Sequence, residues 1–241
     1  MKHKLLLVVL CAFAGTLSGQ SNYSSTLSAE GFEYIEIVKG KDNGKLPLLI
    51  AFHYSGGNPI ETIADYDSVK TPIRIIIPKG NYKKRDGFSY YPADYYQKDS
   101  LIQFSLSKIT VDSIAKFVQT IEKKYKQKAI VSGISQGGDI AFLLAVYYPE
   151  LCKAAFPFAA VIHYTSIQEL KEKPAKKKIP IFLFQGESDK IVSVFSTKKK
   201  VEAIGNGLQI KLYTYPNLDH DISLQMKLDY SKIIDQINTS E

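Results

Sequence analysis

Residues 131–138 read VSGISQGG. They follow the apolar run KAIV (128–131) and precede DIAFLLAVYY (139–148), a run of helical character. A short apolar segment, a glycine-rich bend and a longer apolar segment together predict strand, tight turn and helix. Gly133 and Gly137 flank Ser135, so the chain can turn sharply enough to carry one hydroxyl at its tip.

The same alternation extends in both directions. Upstream, FEYIEIV (32–38) alternates as a first strand, with Gly40, Asn43 and Gly44 as its turn, and LPLLIAF (46–52) is apolar throughout, as in a strand buried on both faces. IETIADYDS (60–68) reads as a short helix and IRIIIP (73–78) as the next strand. A long helix is predicted from Leu101 to Lys126, with Ile109, Ile114, Phe117, Val118 and Ile121 at helical spacing. Downstream, DIAFLLAVYYPE (139–150) is helix, KAAFPFAAVI (153–162) contains a strand and PIFLFQG (180–186) is another. VFSTKKKVEAIGN (194–206) is helix, LQIKLYTYP (208–216) the last strand, and Ile222 to Ile237 a closing helix. Residues 79–100 have no clean period and carry six aromatic side chains, Tyr82, Phe88, Tyr90, Tyr91, Tyr95 and Tyr96, which reads as a long loop walling a cleft. There is no internal repeat or linker. Strands alternating with helices predict an α/β fold in one domain, a mainly parallel sheet with helices on both faces.

In such sheets ligands bind beyond the carboxyl ends of the strands. Four turns qualify: HYSGGN (53–58), SGISQGG (132–138), ESDKIV (187–192) and NLDHD (217–221). Each carries a residue type that acyl transfer needs. A serine hydroxyl is a weak nucleophile without a base beside it and a third group to orient that base. The chain order serine, acid, histidine selects Ser135, Asp189 and His220. Glu187 is the competing acid, whereas Asp219 and Asp221 are immediate neighbours of His220 and poorly aimed at its ring. The backbone N–H of Gln136 opens the helix after the serine and is one oxyanion donor. The second is expected from HYSGGN, with Ser55 first and Tyr54 next. Tyr54, Tyr90, Tyr91 and His163 are the candidate substrate contacts, with aromatic packing under the loop as the other reading of the tyrosines. This chemistry calls for no metal and no organic cofactor.

The chain resembles the phospholipase/carboxylesterase (acyl-protein thioesterase-like) group of the α/β-hydrolase superfamily. The matching stretches are His53-Tyr54-Ser55-Gly56, Gly133-Ile134-Ser135-Gln136-Gly137-Gly138, Gln185-Gly186-Glu187-Ser188-Asp189 and Asn217-Leu218-Asp219-His220, and SQGG is the most specific of them. Two positions depart from the group's pattern: Tyr54 stands for a glycine of the oxyanion turn, and Gln185 for a histidine that is not catalytic. The resemblance implies hydrolysis of a carboxylic ester or thioester through an acyl-serine. A secreted carbohydrate esterase acting on acetyl or feruloyl groups, a peptidase, and a catalytically silent binding protein are the other readings.

The 241 residues are 45% hydrophobic and 23% charged, enough to bury one sizeable core. Lys2, His3 and Lys4 before LLLVVLCAFA have the order of a secretory leader, too short to span a bilayer, so residues 1–20 are expected to be a signal peptide and 21–241 the catalytic domain. Cleavage is expected after Ala14 or after Ser18. Leu10 is too bulky before Cys11 for a lipid-attachment site. Removing the leader leaves Cys152 as the one thiol, which precludes an internal disulfide and suits a bacterial periplasm or secretion. The net charge of +7 is divided among separate short lysine runs on helix ends and loops and comes with no nucleic-acid motif. The expected partner is a small-molecule or glycan ester, with neither nucleic acid nor stable membrane insertion.

Overall fold

The computed structural model describes residues 27–42, 44–175 and 177–239. The expected leader lies outside them, as do Asn43 and Lys176. Ten strands form among the described residues: β1 (Leu27–Ala29), β2 (Phe32–Lys39), β3 (Leu48–Phe52), β4 (Ile73–Pro78), β5 (Tyr82–Lys84), β6 (Gly87–Ser89), β7 (Ala129–Ile134), β8 (Cys152–Phe158), β9 (Pro180–Gly186) and β10 (Gln209–Tyr215). The helices are α1 (Pro59–Thr62), α2 (Ser100–Tyr125), α3 (Gln136–Tyr147), α4 (Tyr164–Glu172), α5 (Val194–Ile204) and α6 (Leu224–Thr239). Eight strands make one sheet in the order β1-β2-β4-β3-β7-β8-β9-β10, parallel from β4 to β10, with β2 antiparallel to β4 and β1 antiparallel to β2.

The central strands are apolar on both sides because both sides are covered. In β3, Leu48, Ile50 and Phe52 join the core under α2 and α3, while Leu49 and Ala51 join the one under α6. That is the two-residue period of a pleated strand with no solvent face. α3 is buried from Gln136 to Val146, so the apolar run Ile140–Val146 is covered all round, by the sheet and by α2. α2 begins where Asp99 accepts the N–H groups of Leu101 and Ile102, each at 3.0 Å, and ends at Lys126 in the left-handed region at φ 54°.

Several expectations need correcting. Ile109 is 63% exposed, because five residues place it about 140° round the helix from buried Ile114, off the stripe that Ile114 shares with Phe117, Val118 and Ile121. β1 and α4 were not anticipated: β1 has three residues, and α4 buries only Ser166, Ile167 and Leu170, too few to impose a period. Residues 79–100 are not a structureless loop. They hold the β5–β6 hairpin, a second two-stranded sheet, and a short 3₁₀ turn at Tyr95–Gln97.

Candidate active site

Ser135 sits between the end of β7 and the first turn of α3 at φ 55° and ψ −116°. This is a region that glycine enters freely and other residues enter at a cost of about 1–3 kcal/mol. The bend is over-determined around it: Ser135 N–H donates to Phe158 O at 2.9 Å, and its carbonyl accepts Asp139 N–H at 2.9 Å. Gly137 is required by close approach, since a Cβ there would lie 2.1 Å from Phe52 O and 2.9 Å from His53 O. The helix therefore starts directly against the turn that follows β3.

The acid and the histidine are joined by an equally close contact. Gly186, at the end of β9, packs under the His220 loop, where an added Cβ would meet Leu218 O at 2.3 Å. Ser188 N–H donates to that same carbonyl at 2.9 Å. Asp189 is buried, and its Oδ1 accepts the N–H groups of Ile191 and Val192 at 2.8 Å each. Its Oδ2 accepts from Gln185 Nε2 and from His220 Nδ1, both at 2.8 Å. A carboxylate so placed can only accept, so His220 carries its proton on Nδ1 and leaves Nε2 with the lone pair. Glu187 takes the Thr214 hydroxyl at 2.7 Å on the exposed side of the sheet edge, away from His220. Asp219 accepts the backbone N–H groups of Lys190 and His220.

Ser135 and His220 line one cleft of about 600 Å³ with Tyr54, Ser55, Ile134 and Ile191. The turn 54–57 is closed by Gly57 N–H donating to Tyr54 O at 2.9 Å. His53 is buried behind it. Its Nδ1 donates to the same Tyr54 carbonyl at 2.7 Å, and its Nε2 accepts Gly80 N–H at 3.0 Å. Both nitrogens are thus committed to a neutral ring, and burial lowers the pKa to about 4.

The chain belongs to the phospholipase/carboxylesterase family. The family's model matches residues 33–238, from β2 to the end of α6. Protein usf of Aquifex pyrophilus is 25% identical over 204 residues, covering 77% of this chain and 85% of that protein. Among solved structures, esterase PE8 superposes with a TM-score of 0.70 at 19% identity, over 79% of this chain and 92% of that one. The Bacillus cereus carboxylesterase does so with a TM-score of 0.70 at 16% identity, over 86% and 95%. The fold is the α/β-hydrolase fold, and the chain is a hydrolase of esters.

Within this carboxylesterase-family site, three expected substrate contacts stand elsewhere. Tyr90 is buried, stacked on His53 with ring centroids 4.5 Å apart, and its hydroxyl donates to Pro78 O at 2.5 Å. Tyr91 is buried against Tyr95 and donates to Asp139 Oδ2 at 2.6 Å. His163 is buried beside Phe104, with Nε2 3.5 Å from Asp139 Oδ1. The chain turns back into the body after β6 and after β8, which takes these rings behind the cleft rather than into it. Tyr54, 43% exposed, does line the cleft.

Tyr96 falls within the aromatic stretch expected to wall the cleft, whereas Lys84, Arg85 and Ile222 were not singled out by the sequence. Tyr96, 52% exposed, lines the cleft, as do Lys84, Arg85 and Ile222. Gln136 is held by its side chain: Oε1 accepts Tyr90 N–H at 2.7 Å, and Nε2 donates to Ser89 Oγ at 3.1 Å and Tyr96 OH at 3.3 Å. Gln185 holds Asp189 and also Val192 O at 2.9 Å. Its departure from the family's histidine was the available signal. Among the described residues, no cluster of three or more His, Cys, Asp or Glu is arranged to hold a metal, and no helix is long and apolar enough to cross a membrane.

Proposed function

We propose that this hydrolase cleaves a carboxylic ester or thioester through an acyl-serine intermediate, with Ser135 as nucleophile, His220 as general base and then acid, and Asp189 as the group that orients His220. The observation that carries the reading is the 2.8 Å contact of His220 Nδ1 with a fully hydrogen-bonded Asp189, in a histidine that shares its cleft with Ser135. In the first half-reaction Nε2 takes the hydroxyl proton as Oγ bonds to the acyl carbon, then returns it to the departing alcohol or thiol. In the second, Nε2 takes a proton from water as it attacks the acyl carbon, then returns that proton to Ser135 Oγ as the acyl–oxygen bond breaks and the acid is released.

The tetrahedral oxyanion needs two donors. Gln136 N–H is one of the helix-initial N–H groups that lack an intrahelical acceptor, at the positive end of α3. Ser55 N–H is the second. All described peptide bonds are trans, so this N–H points opposite to the Tyr54 carbonyl, which is held by His53 and Gly57. A tyrosine at 54 is compatible with that arrangement because its ring is turned outward.

The substrate is a small-molecule or glycan ester. The glycan reading draws support from Tyr54 and Tyr96, two exposed rings able to stack on a sugar or phenol. We assign the protein to the periplasm or the secreted fraction on the order of charge and hydrophobicity in residues 1–20. N-terminal sequencing of the mature protein should then begin at Gly15 or Gly19, and an intact Met1 would refute it. The catalytic assignment is tested with 4-nitrophenyl esters of graded acyl length, followed by acetylated and feruloylated glycans. Ser135→Ala should lower turnover by about six orders of magnitude, and full activity in that variant would refute the assignment.

A further inference from the structure

The cleft that holds Ser135 and His220 also holds two cations that form no ion pair among the described residues. Lys84 and Arg85 line it from the connection of the β5–β6 hairpin. The Lys84 ammonium lies 4.2 Å from the centroid of the Tyr96 ring, and Arg85 forms no ion pair among the described residues. Three carboxylates line the same cleft, none ion-paired with Lys84 or Arg85 among the described residues: Asp65 pairs with Lys227 at 3.1 Å, and Asp221 accepts Ile222 N–H at 2.7 Å. Glu61 faces the Tyr54 hydroxyl at 3.5 Å.

These cations are fixed relative to the acyl site. Gly56 N–H donates to Phe88 O at 2.7 Å and Phe88 N–H to Gly57 O at 2.9 Å, so the hairpin is stitched to the turn that carries Ser55. Gly87 is pressed so closely on that turn that a Cβ would lie 2.2 Å from Gly56 O. Arg85 also occupies a position that its own backbone disfavours. The two-residue connection Arg85-Asp86 has Arg85 at φ 53°, where glycine is the residue of least cost. Lys84 and Arg85 thus present two adjacent like charges to the cleft of Ser135.

We propose that Lys84 and Arg85 form a carboxylate subsite and that the preferred substrate is an ester carrying a carboxylate close to the scissile bond. Arg85 supplies the planar fork that a carboxylate matches, and Lys84 a point charge beside it. The inference rests on the ester-hydrolase reading above and narrows its substrate.

Two pairs of esters test it and separate the side of the bond that carries the charge. On the acyl side, 4-nitrophenyl hydrogen succinate is compared with 4-nitrophenyl butyrate; on the alcohol side, 3-acetoxybenzoate with 3-acetoxybenzamide. In at least one pair kcat/KM should favour the anion by about ten-fold or more, with the advantage shrinking at about 0.5 M salt. In a Lys84→Ala, Arg85→Ala double variant that ratio should fall to about one. Lys83→Ala removes the same charge from the same hairpin, but its ammonium is turned to Asp86 O at 3.1 Å and to the Phe88 ring, and the ratio should persist. A ratio near one in both pairs, or one unchanged in the double variant, overturns the subsite. Failure to turn over any of the four esters would count against the hydrolase reading instead. The subsite is then read directly by calorimetric titration with succinate and with benzoate: binding that the double variant loses supports it, and absence of binding to the wild-type protein overturns it.

Discussion

His53 stands two residues before Ser55 and is neutral because the fold gives both its nitrogens to the backbone. Its pKa of about 4, against an ordinary 6.5, has a consequence for stability. Between those two pH values the unfolded chain binds a proton that the folded chain refuses, so stability is full above pH 6.5 and declines as pH falls toward 4, by up to about 3 kcal/mol. A His53→Asn protein should be less stable near neutrality and should show a flatter decline over this window in urea unfolding. Parallel declines in the two proteins would contradict the account. Sequence order alone selected Ser135, Asp189 and His220, because each follows a strand of one parallel sheet and the order is restrictive. The roles of His53 and Gln185 were not legible. A positioning side chain is defined by what it touches, and the partners of His53 include Gly80, far along the chain.

Among the elements, the β5–β6 hairpin is the one that braces the 54–57 turn and whose existence the sequence concealed. Three-residue strands leave no alternation to read, and six aromatic residues in that stretch suggested a cleft wall. Packing divides them: Tyr90, Tyr91 and Tyr95 fill the interior, and Tyr96 lines the cleft. By contrast β4 and β9 fall on the residues expected, because continuous apolar runs bounded by turn residues admit few other positions. The hairpin's contact with the 54–57 turn should be sensitive to one methyl group. In Gly87→Ala the new Cβ meets Gly56 O and Gly57 O at 2.2 and 2.4 Å, so hairpin and turn must separate. A displacement of about 1 Å at an oxyanion donor costs about 10²-fold, so kcat/KM should fall by that order while circular dichroism stays native. Wild-type kinetics in this variant would show that the hairpin does not set the donor's position.

Across the whole molecule, one sheet sets the distances. Parallel strands bring the turns after β3, β7, β9 and β10 to one edge, and glycines at 137 and 186 let those turns approach closer than any side chain allows. Charge was legible only in total. That two of the cations, Lys84 and Arg85, share a cleft with Ser135 was not legible, since it follows from where a hairpin docks. The proposed chemistry requires Ser135 to be an activated nucleophile, and covalent labelling with a fluorophosphonate followed by peptide mapping tests this most directly. We predict one adduct per chain, on Ser135, absent from Ser135→Ala and formed about 10³-fold more slowly in His220→Ala. A wild-type protein that remains unlabelled, or that carries its adduct on another residue, would contradict it.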